Sequence, residues 1–374
     1  MKVLIATGLF PPEIGGPATY SKTLLDELPK RGIEVEVLPF RDVRHLPKVL
    51  RHVAYFFKVL KKGRSVDIIF AQDPVSVGLP AALAAKVLGK RFLIKIVGDY
   101  AWEMEMQNEK RKVQSESQKF LSLEEFQKGK YDGVTEMRRK IERWVAKRAE
   151  MVIVPSNYLK GIVEMWGVPI SKIKVIYNAF EVPDIKESKE EIRKRLNIRG
   201  TVLLSVGRLV PWKGFAFLMD RMKEIVKEIP EAHLYIAGDG PEEKSLKLKA
   251  KSEKLEENVT FLGRLGQQDL FSYIKAADIF VLNTGYEGFS HHLLEVAGIG
   301  TPIITTRIGG NPELIENEKT GLLVPYNNKE EIRKEVVRLI KDSDLRNTMV
   351  EEAKKKVLGF SIERMINELI SLLK

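Results

Sequence analysis

Short apolar runs rich in Val, Ile and Leu recur along the chain, each followed by a longer stretch of helical character. This repetition limits the fold more than any other feature. In the first half the runs lie at 2–7, 34–39, 67–71 and 92–97, with helical stretches at 18–30, 46–62 and 75–88 between them. Runs this uniformly apolar suit strands buried on both faces, which is the parallel sheet of successive βαβ units. A polar stretch at 103–130 interrupts the rhythm and reads as an inserted lid or loop. The alternation resumes with a helix at 134–148, a strand at 151–155, a helix at 157–166 and a strand at 174–177.

The segment Asn178-Ala179-Phe180-Glu181-Val182-Pro183-Asp184 marks a break, and a charged run at 186–199 follows it. A second series then begins, with strands at 202–206, 232–237, 259–262, 279–282 and 302–305. Helices at 215–227, 242–254, 267–276 and 290–298 separate them. With 374 residues the chain is long for one core and comfortable for two. The expectation is an α/β protein of two domains, 1–178 and 179–360, whose parallel sheets face a central cleft. Ligands of such sheets sit beyond the carboxyl ends of the strands, so two facing sheets can hold two substrates. The stretch 330–374 reads as helical, broken at Gly359 and at Ser361, a suitable N-cap for a final helix.

Charge is distributed unevenly. The net charge of +11 belongs to residues 1–178, which hold 31 Lys+Arg and 20 Asp+Glu; residues 179–374 hold 31 of each. Between Arg41 and Arg64 stand eight basic residues and one acid. Such a patch favours an anionic partner, a membrane surface or a nucleic acid. Residues 47–62 form an amphipathic stretch, with Val49, Val53, Phe56, Phe57 and Leu60 on one side and Lys48, Arg51, Lys58, Lys61 and Lys62 on the other. The apolar side is expected to pack on the sheet. The basic side is then either solvated or laid on anionic lipid. The chain has no cysteine, which excludes disulfides and thiolate metal sites. No run approaches the roughly 20 apolar residues of a membrane span. The first eight residues read as a strand rather than a leader, so a cytoplasmic place is expected, on the inner face of the membrane if the patch meets lipid. The lack of Cys and the abundance of Lys, Glu and Ile fit a thermophile.

Three segments have the chemistry of a ligand site. Tyr286-Glu287-Gly288-Phe289-Ser290-His291-His292-Leu293-Leu294-Glu295 follows a strand and opens a helix. A helix start offers backbone N–H groups and positive dipole to a phosphate, and Gly288 permits close approach. Glu287 stands at the mouth, and Glu295 lies about 7.5 Å along the axis beyond Ser290. Carboxylates at these two places can grip sugar hydroxyls. An ordinary helix start with an exposed Glu is the plain alternative. The second segment is Val206-Gly207-Arg208-Leu209-Val210-Pro211-Trp212-Lys213-Gly214, where Arg208 and Lys213 flank a tight turn. A diphosphate leaving group needs such cations, although a solvated basic loop looks the same. The third, Phe10-Pro11-Pro12-Glu13-Ile14-Gly15-Gly16-Pro17, pairs glycines at a helix start but lacks the spacing of a dinucleotide site.

Together these segments resemble the group 1 family of glycosyltransferases, which have the GT-B fold of two Rossmann-like domains. The resemblance covers nearly the whole chain. Besides the three segments it includes Val154-Pro155-Ser156, Val175-Ile176-Tyr177-Asn178, Ile236-Ala237-Gly238-Asp239-Gly240, Phe261-Leu262-Gly263-Arg264, Ala277-Asp278-Ile279, Gly309-Gly310-Asn311-Pro312-Glu313 and Thr320-Gly321-Leu322-Leu323-Val324.

What the resemblance implies is specific. The second domain would bind a nucleoside-diphosphate sugar and the first an acceptor, and the final helix, 361–374, would cross back to the first domain. Arg208 and Lys213 would hold the diphosphate in place of a metal. Glu287 would contact the donor sugar near the reacting carbon, and Glu295 the ribose. Gly238, Gly263 and Arg264 would border the base. Gly288, Phe289 and Ser290 would line the donor site, and Gly15 and Gly16 would close over the phosphates. Transfer would proceed with retention, with the leaving phosphate as base, and no cofactor or metal would be needed. The acceptor would be a glycan or a lipid-linked sugar, as in the synthesis of cell-envelope polysaccharide. Many relatives carry a histidine after the fourth strand of the first domain. Here that segment is Lys95-Ile96-Val97-Gly98-Asp99-Tyr100, and Asp99 is the nearest functional substitute, or else a helix cap.

Other readings are weaker. Asp342-Ser343-Asp344 has the DxD form of metal-dependent transferases but lies between late helices, where an acid is a natural cap. The five histidines lack zinc-site spacing, although His291 and His292 could help at the donor phosphate. A sugar-nucleotide epimerase can use the same fold. A basic membrane or nucleic-acid module remains the non-enzyme alternative, without a nucleic-acid motif to support it.

Overall fold

A computed structural model describes residues 1–107 and 120–374 and divides into two compact units. The first comprises Met1–Asn178 and Ile362–Lys374; the second is Ala179–Ser361. The first unit holds a six-stranded parallel sheet in the order β2-β1-β3-β4-β5-β6. Its strands are β1 (Lys2–Thr7), β2 (Glu34–Pro39), β3 (Ile68–Ala71), β4 (Arg91–Lys95), β5 (Met151–Val154) and β6 (Ile173–Val175). The register sets Ala6 beside Ala71 and Ala71 beside Ile94. All four residues of β3 are buried, the result of helices on both faces.

The helices α1 (Gly16–Glu27), α2 (Arg41–Arg44), α3 (Lys48–Gly63), α4 (Leu79–Leu88) and α5 (Tyr100–Met106) follow in chain order. The single helix expected at 75–88 is divided. Asp73 accepts from the N–H groups of Val75, Ser76 and Val77 and opens a π-helical turn, Pro74–Gly78, before α4. Pro80, which has no N–H, stands in the first turn of α4. Of the expected lid at 103–130, α5 begins earlier and a capped helix, Leu123–Lys128, ends it; residues 108–119 lie outside the described residues.

The orientation of α3 differs from expectation. It buries Tyr55, Val59 and Gly63, whereas Val49, Val53 and Phe57 are exposed. Its basic side is also divided. Lys62 pairs with Glu36, Arg51 is half-buried with its guanidinium 5.6 Å from the Phe40 ring, and Lys48, Lys58 and Lys61 are exposed. Tyr55 donates to the Leu38 carbonyl at 2.6 Å, which fixes the rotation of the helix.

The second sheet is also all parallel, in the order β12-β11-β10-β7-β8-β9. Its strands are β7 (Thr201–Val206), β8 (Ala232–Ala237), β9 (Val259–Gly263), β10 (Ile279–Leu282), β11 (Ile303–Thr306) and β12 (Leu322–Val324). The three-residue β12 lies beyond the strands expected from the sequence. The charged run before β7 is ordered as a helix, Lys189–Arg195, opened by a capping box of Ser188 and Glu191. Asp278 anchors it: its carboxylate accepts from Lys189 at 2.7 Å, Arg193 at 2.9 Å and the Val202 N–H at 2.7 Å.

The late helical stretch breaks once more than expected. Asp342 ends the helix Lys329–Lys341 and caps Ser343–Val357, accepting from the Leu345 N–H at 2.9 Å. The helix Ile362–Leu373 belongs to the first unit, where it buries Met365, Ile366, Leu369 and Leu373. The Arg91 guanidinium donates to the carbonyls of Leu372 and Leu373 and so neutralises its carboxyl end.

At the carboxyl ends of β7, β8 and β9 the backbone of the second unit is drawn tight. The Gly238 N–H donates to the Gly263 carbonyl at 2.8 Å, and Gly207 donates to Ala237 at 3.0 Å. Gly238 has φ 134°, and a Cβ there would stand 1.9 Å from the Gly207 oxygen. Gly238→Ala is therefore expected to destabilise the second unit by roughly 1–3 kcal/mol or more. Chemical denaturation followed by circular dichroism checks this; an unchanged midpoint would contradict it.

Candidate active site

The second sheet reverses its order between β7 and β10, since the chain runs outward from β7 through β8 and β9 and then returns to β10 on the other side. A crevice opens beyond the carboxyl ends of strands at such a point. The loop 207–214 leaves β7 there, and the loop 283–290 leaves β10.

Backbone and side-chain bonds join the two loops. The Trp212 carbonyl accepts from the Gly285 N–H at 2.7 Å and from the Thr284 hydroxyl at 3.3 Å. Asn283 donates to the Gly214 carbonyl at 3.3 Å and to the Asn327 side chain at 2.8 Å, and it accepts from the Asn327 N–H at 3.1 Å. Thr306 donates to the Thr284 carbonyl at 2.6 Å. Gly310 donates its N–H to the Glu287 carbonyl at 2.9 Å. Gly309 adopts φ 61°, and a Cβ on it would stand 2.0 Å from that same carbonyl oxygen. Only glycine lets the two backbones meet there. The signals for these supports were slight: Gly309-Gly310 was visible as a motif without a role, and Asn283, Thr284 and Asn327 gave none.

On this frame Lys213 forms an ion pair with Glu287, the side chains 14% and 17% exposed. Arg208 is exposed; its backbone carbonyl accepts from the Val210 N–H at 2.9 Å, and its guanidinium makes no hydrogen bond or ion pair among the described residues. The crevice thus offers one paired and one uncommitted cation. Ser290 caps the helix His291–Ile299, its hydroxyl accepting from the Leu293 N–H at 3.3 Å. Gly288 is buried. Phe289 is buried too, its ring 5.5 Å from that of Phe360, so it packs the loop down. Glu295 accepts from His292 Nδ1 at 2.8 Å, one helical turn back. Arg264 stands 3.5 Å from Asp239, both half-exposed, next to Gly263 and Gly238 at the ends of β9 and β8.

The remaining expected residues lie in the first unit. Gly15 caps α1 and Gly16 begins it. The loop before them is strapped by α2: Arg44 pairs with Glu13 and donates to the Gly8 carbonyl at 2.9 Å, and Arg41 donates to the Pro11 carbonyl at 2.7 Å. Two members of the basic patch therefore hold this loop rather than an outside partner.

Asp99 is placed as a cap. Its Oδ1 accepts from the Trp102 N–H at 2.8 Å, and its Oδ2 accepts from Gln127 at 2.8 Å. The residue is 1% exposed. Both carboxylate oxygens are thus occupied, one by the start of α5 and the other by Gln127. Glu142 stands beside it, equally buried, accepting from the Tyr100 N–H at 2.7 Å and the Ala101 N–H at 3.3 Å. Burial pushes the Asp99 carboxyl up and the Glu142 carboxyl well up, and the Asp99 charge adds to the Glu142 shift. Among the described residues no group of three or more His, Asp or Glu is arranged to hold a metal.

Comparison with known proteins covers both units. Residues 188–356 match the family described as glycosyl transferases group 1, and residues 14–182 match glycosyltransferase family 4. An uncharacterised glycosyltransferase of Methanocaldococcus jannaschii is 29% identical over 233 residues, 60% of each chain. A UDP-Gal:alpha-D-GlcNAc-diphosphoundecaprenol alpha-1,3-galactosyltransferase of Escherichia coli is 26% identical over 335 residues, 87% of this chain and 79% of that one. The chain spans between 44% and 60% of the length of the first curated relatives it matches. Among solved structures, Anabaena HepE in complex with UDP-glucose superposes with a TM-score of 0.78 at 19% identity, over 100% of this chain and 99% of that one. That likeness shows the fold, GT-B.

The buried carboxyls give a pH signature. A carboxyl whose folded pKa is raised contributes stability that is fully present below its ordinary value of 4.5 and is lost as pH climbs through the raised value. Glu142→Gln cannot ionise; it keeps one oxygen for the Tyr100 N–H and turns its NH2 toward the Ala101 N–H, a cost that does not vary with pH. The parent protein is expected to lose stability relative to this variant as pH rises above 4.5. Thermal unfolding in steps of pH measures the difference; parallel profiles would refute it.

Proposed function

The chain belongs to the group 1 glycosyltransferases, and on that premise we propose that it moves a hexose-type sugar from a UDP-sugar to an acceptor hydroxyl, with retention and without a metal ion. The observation that supports this reading best is the Lys213–Glu287 pair beside the uncommitted Arg208 at the β7/β10 crevice. Two cations and a carboxylate in one crevice suit a sugar diphosphate, which joins an anionic half to a hydroxyl-bearing half.

Arg208 and Lys213 hold the diphosphate. Negative charge grows on it as the bond to the sugar breaks, so these cations act more strongly on the transition state than on the bound donor. The start of the helix His291–Ile299 adds positive dipole beside them. Glu287 exchanges its bond with Lys213 for a donor-sugar hydroxyl, positioning the sugar rather than attacking it. Glu295, turned by His292, takes the ribose hydroxyls, and Gly238, Gly263 and Arg264 border the base. The departing phosphate removes the proton of the acceptor hydroxyl, which attacks from the same face. Asp99 has no part in this scheme, because the cap of α5 and the bond from Gln127 occupy its two oxygens. UDP is favoured as the nucleotide by the names of the E. coli relative and of the Anabaena complex. The E. coli name also favours a lipid-linked acceptor at a membrane surface.

Purified protein incubated with UDP-sugars and lipid-linked or soluble sugar acceptors is expected to release UDP and give a product with the donor's anomeric configuration by NMR. Activity is expected to persist in EDTA. Arg208→Ala or Lys213→Ala should each lower kcat by about 10²–10³, whereas Glu295→Ala should act chiefly on the donor KM. An inverted product, or activity lost to EDTA and restored by magnesium, would overturn the corresponding part of the proposal.

A further inference from the structure

The outward face of α3 and α4 carries a feature that the transferase reading does not use. On α3, Val49 is 74% exposed, Leu50 57%, Val53 48% and Phe57 61%. At 100° per residue these four fall within an arc of about 100°, turned away from the buried arc of Tyr55, Val59 and Gly63. Four large apolar side chains on one helical arc form a continuous stripe rather than scattered exposure. The neighbouring α4 continues it with Leu83, 40% exposed, and Val87, 68% exposed. The two helices lie side by side; a Cβ on Gly63 near the end of α3 would meet Leu88 at the end of α4.

Charge borders the stripe with one sign only. Lys58 and Lys61 on α3 and Lys86 on α4 are exposed, and neither helix contains an acid. From Val43 to Lys95 the acids are Asp67 and Asp73 alone. Asp67 accepts from the Lys2 N–H at 2.7 Å, and Asp73 caps the turn before α4. Nothing acidic on these helices opposes an anionic surface.

We propose that the outer face of α3 and α4 docks on an anionic lipid bilayer, with Val49, Leu50, Val53 and Phe57 entering the headgroup layer and Lys58, Lys61 and Lys86 resting on lipid phosphates. The charge pattern selects this occupant. A protein partner would need a matching acidic surface with an apolar centre, whereas an anionic bilayer supplies negative charge over an apolar interior everywhere. Amphipathic helices bind such interfaces by combining apolar insertion with attraction to anionic lipid. The amphipathic stretch thus meets lipid by its apolar stripe as well as by its lysines, unlike the arrangement expected from sequence. The beginning of α3 stands near the carboxyl edge of the first sheet, where His52 Nδ1 meets the Ser76 carbonyl at 3.2 Å. A lipid-linked acceptor would therefore be presented at the ligand-binding edge of this unit, which rests on the proposed function, whereas the docking itself does not.

Co-sedimentation of the protein with vesicles separates the two claims. Binding is expected to vesicles of phosphatidylcholine mixed with phosphatidylglycerol, about tenfold stronger than to phosphatidylcholine alone, and to weaken with added salt. Leu50→Gln with Phe57→Gln should lower it about tenfold, and Lys58→Gln with Lys61→Gln should remove most of its salt dependence. Both double variants should keep the parent's thermal shift with UDP, which shows that the second unit is folded and separates this proposal from the catalytic one. Equal binding to both vesicle types would overturn the inference, as would unchanged binding by the Leu50/Phe57 variant. A dimer in light scattering that the same variant dissolves would overturn it too, because the stripe would then be covered by a second copy.

Discussion

One backbone oxygen, that of Trp212, fixes the geometry on which the candidate site depends. Two loops from neighbouring strands converge on it, one contributing the carbonyl and the other an N–H and a hydroxyl. Each loop alone would be a polar connection free to shift at the sheet edge. Joined, they hold Arg208, Lys213 and Glu287 on a frame that the parallel pairing of β7 and β10 makes rigid. Orientation of reacting groups is sensitive to displacements near 1 Å, so a shared anchor suits a site assembled from distant stretches of chain. Asn283 and Asn327 extend the same device to the loop after β12.

The ion pair between Lys213 and Glu287 compensates two charges in a largely buried place, so neither is left isolated. Under the proposed reaction a sugar diphosphate offers both halves of the exchange at once, phosphate for the lysine and hydroxyls for the glutamate. A phosphate or a free sugar offers only one half.

Much of the fold was legible because parallel strands buried on both faces leave uniform runs such as Lys2–Thr7 and Ile279–Leu282. The losses have physical causes. β12 has three residues, too few for a pattern. The helix Lys189–Arg195 has a single buried residue, Ile192, and is held by Asp278, more than eighty residues away. The apolar arc of α3 is wider than the sheet can cover, so periodicity identified an amphipathic helix but not which part of the arc would pack. At the site, the helix start at Ser290 and the cations of the loop 207–214 could be read locally. The pairing of Lys213 with Glu287 could not, because it depends on which strands become neighbours. Asp99 shows the reverse case: an acid beside a helix start can be a reactive group or a cap, and only its partners, Trp102 and Gln127, decide.

The membership of the helix Ile362–Leu373 in the first unit has a consequence for biosynthesis. The second unit is a continuous stretch, while the first is interrupted by it and closed by residues that follow it. As the chain leaves the ribosome, every strand of the first sheet emerges early, but the patch that receives Met365, Ile366 and Leu369 stays uncovered until the second unit has been made. The first unit, although most of it precedes the second in the chain, is therefore completed only after the second has been made.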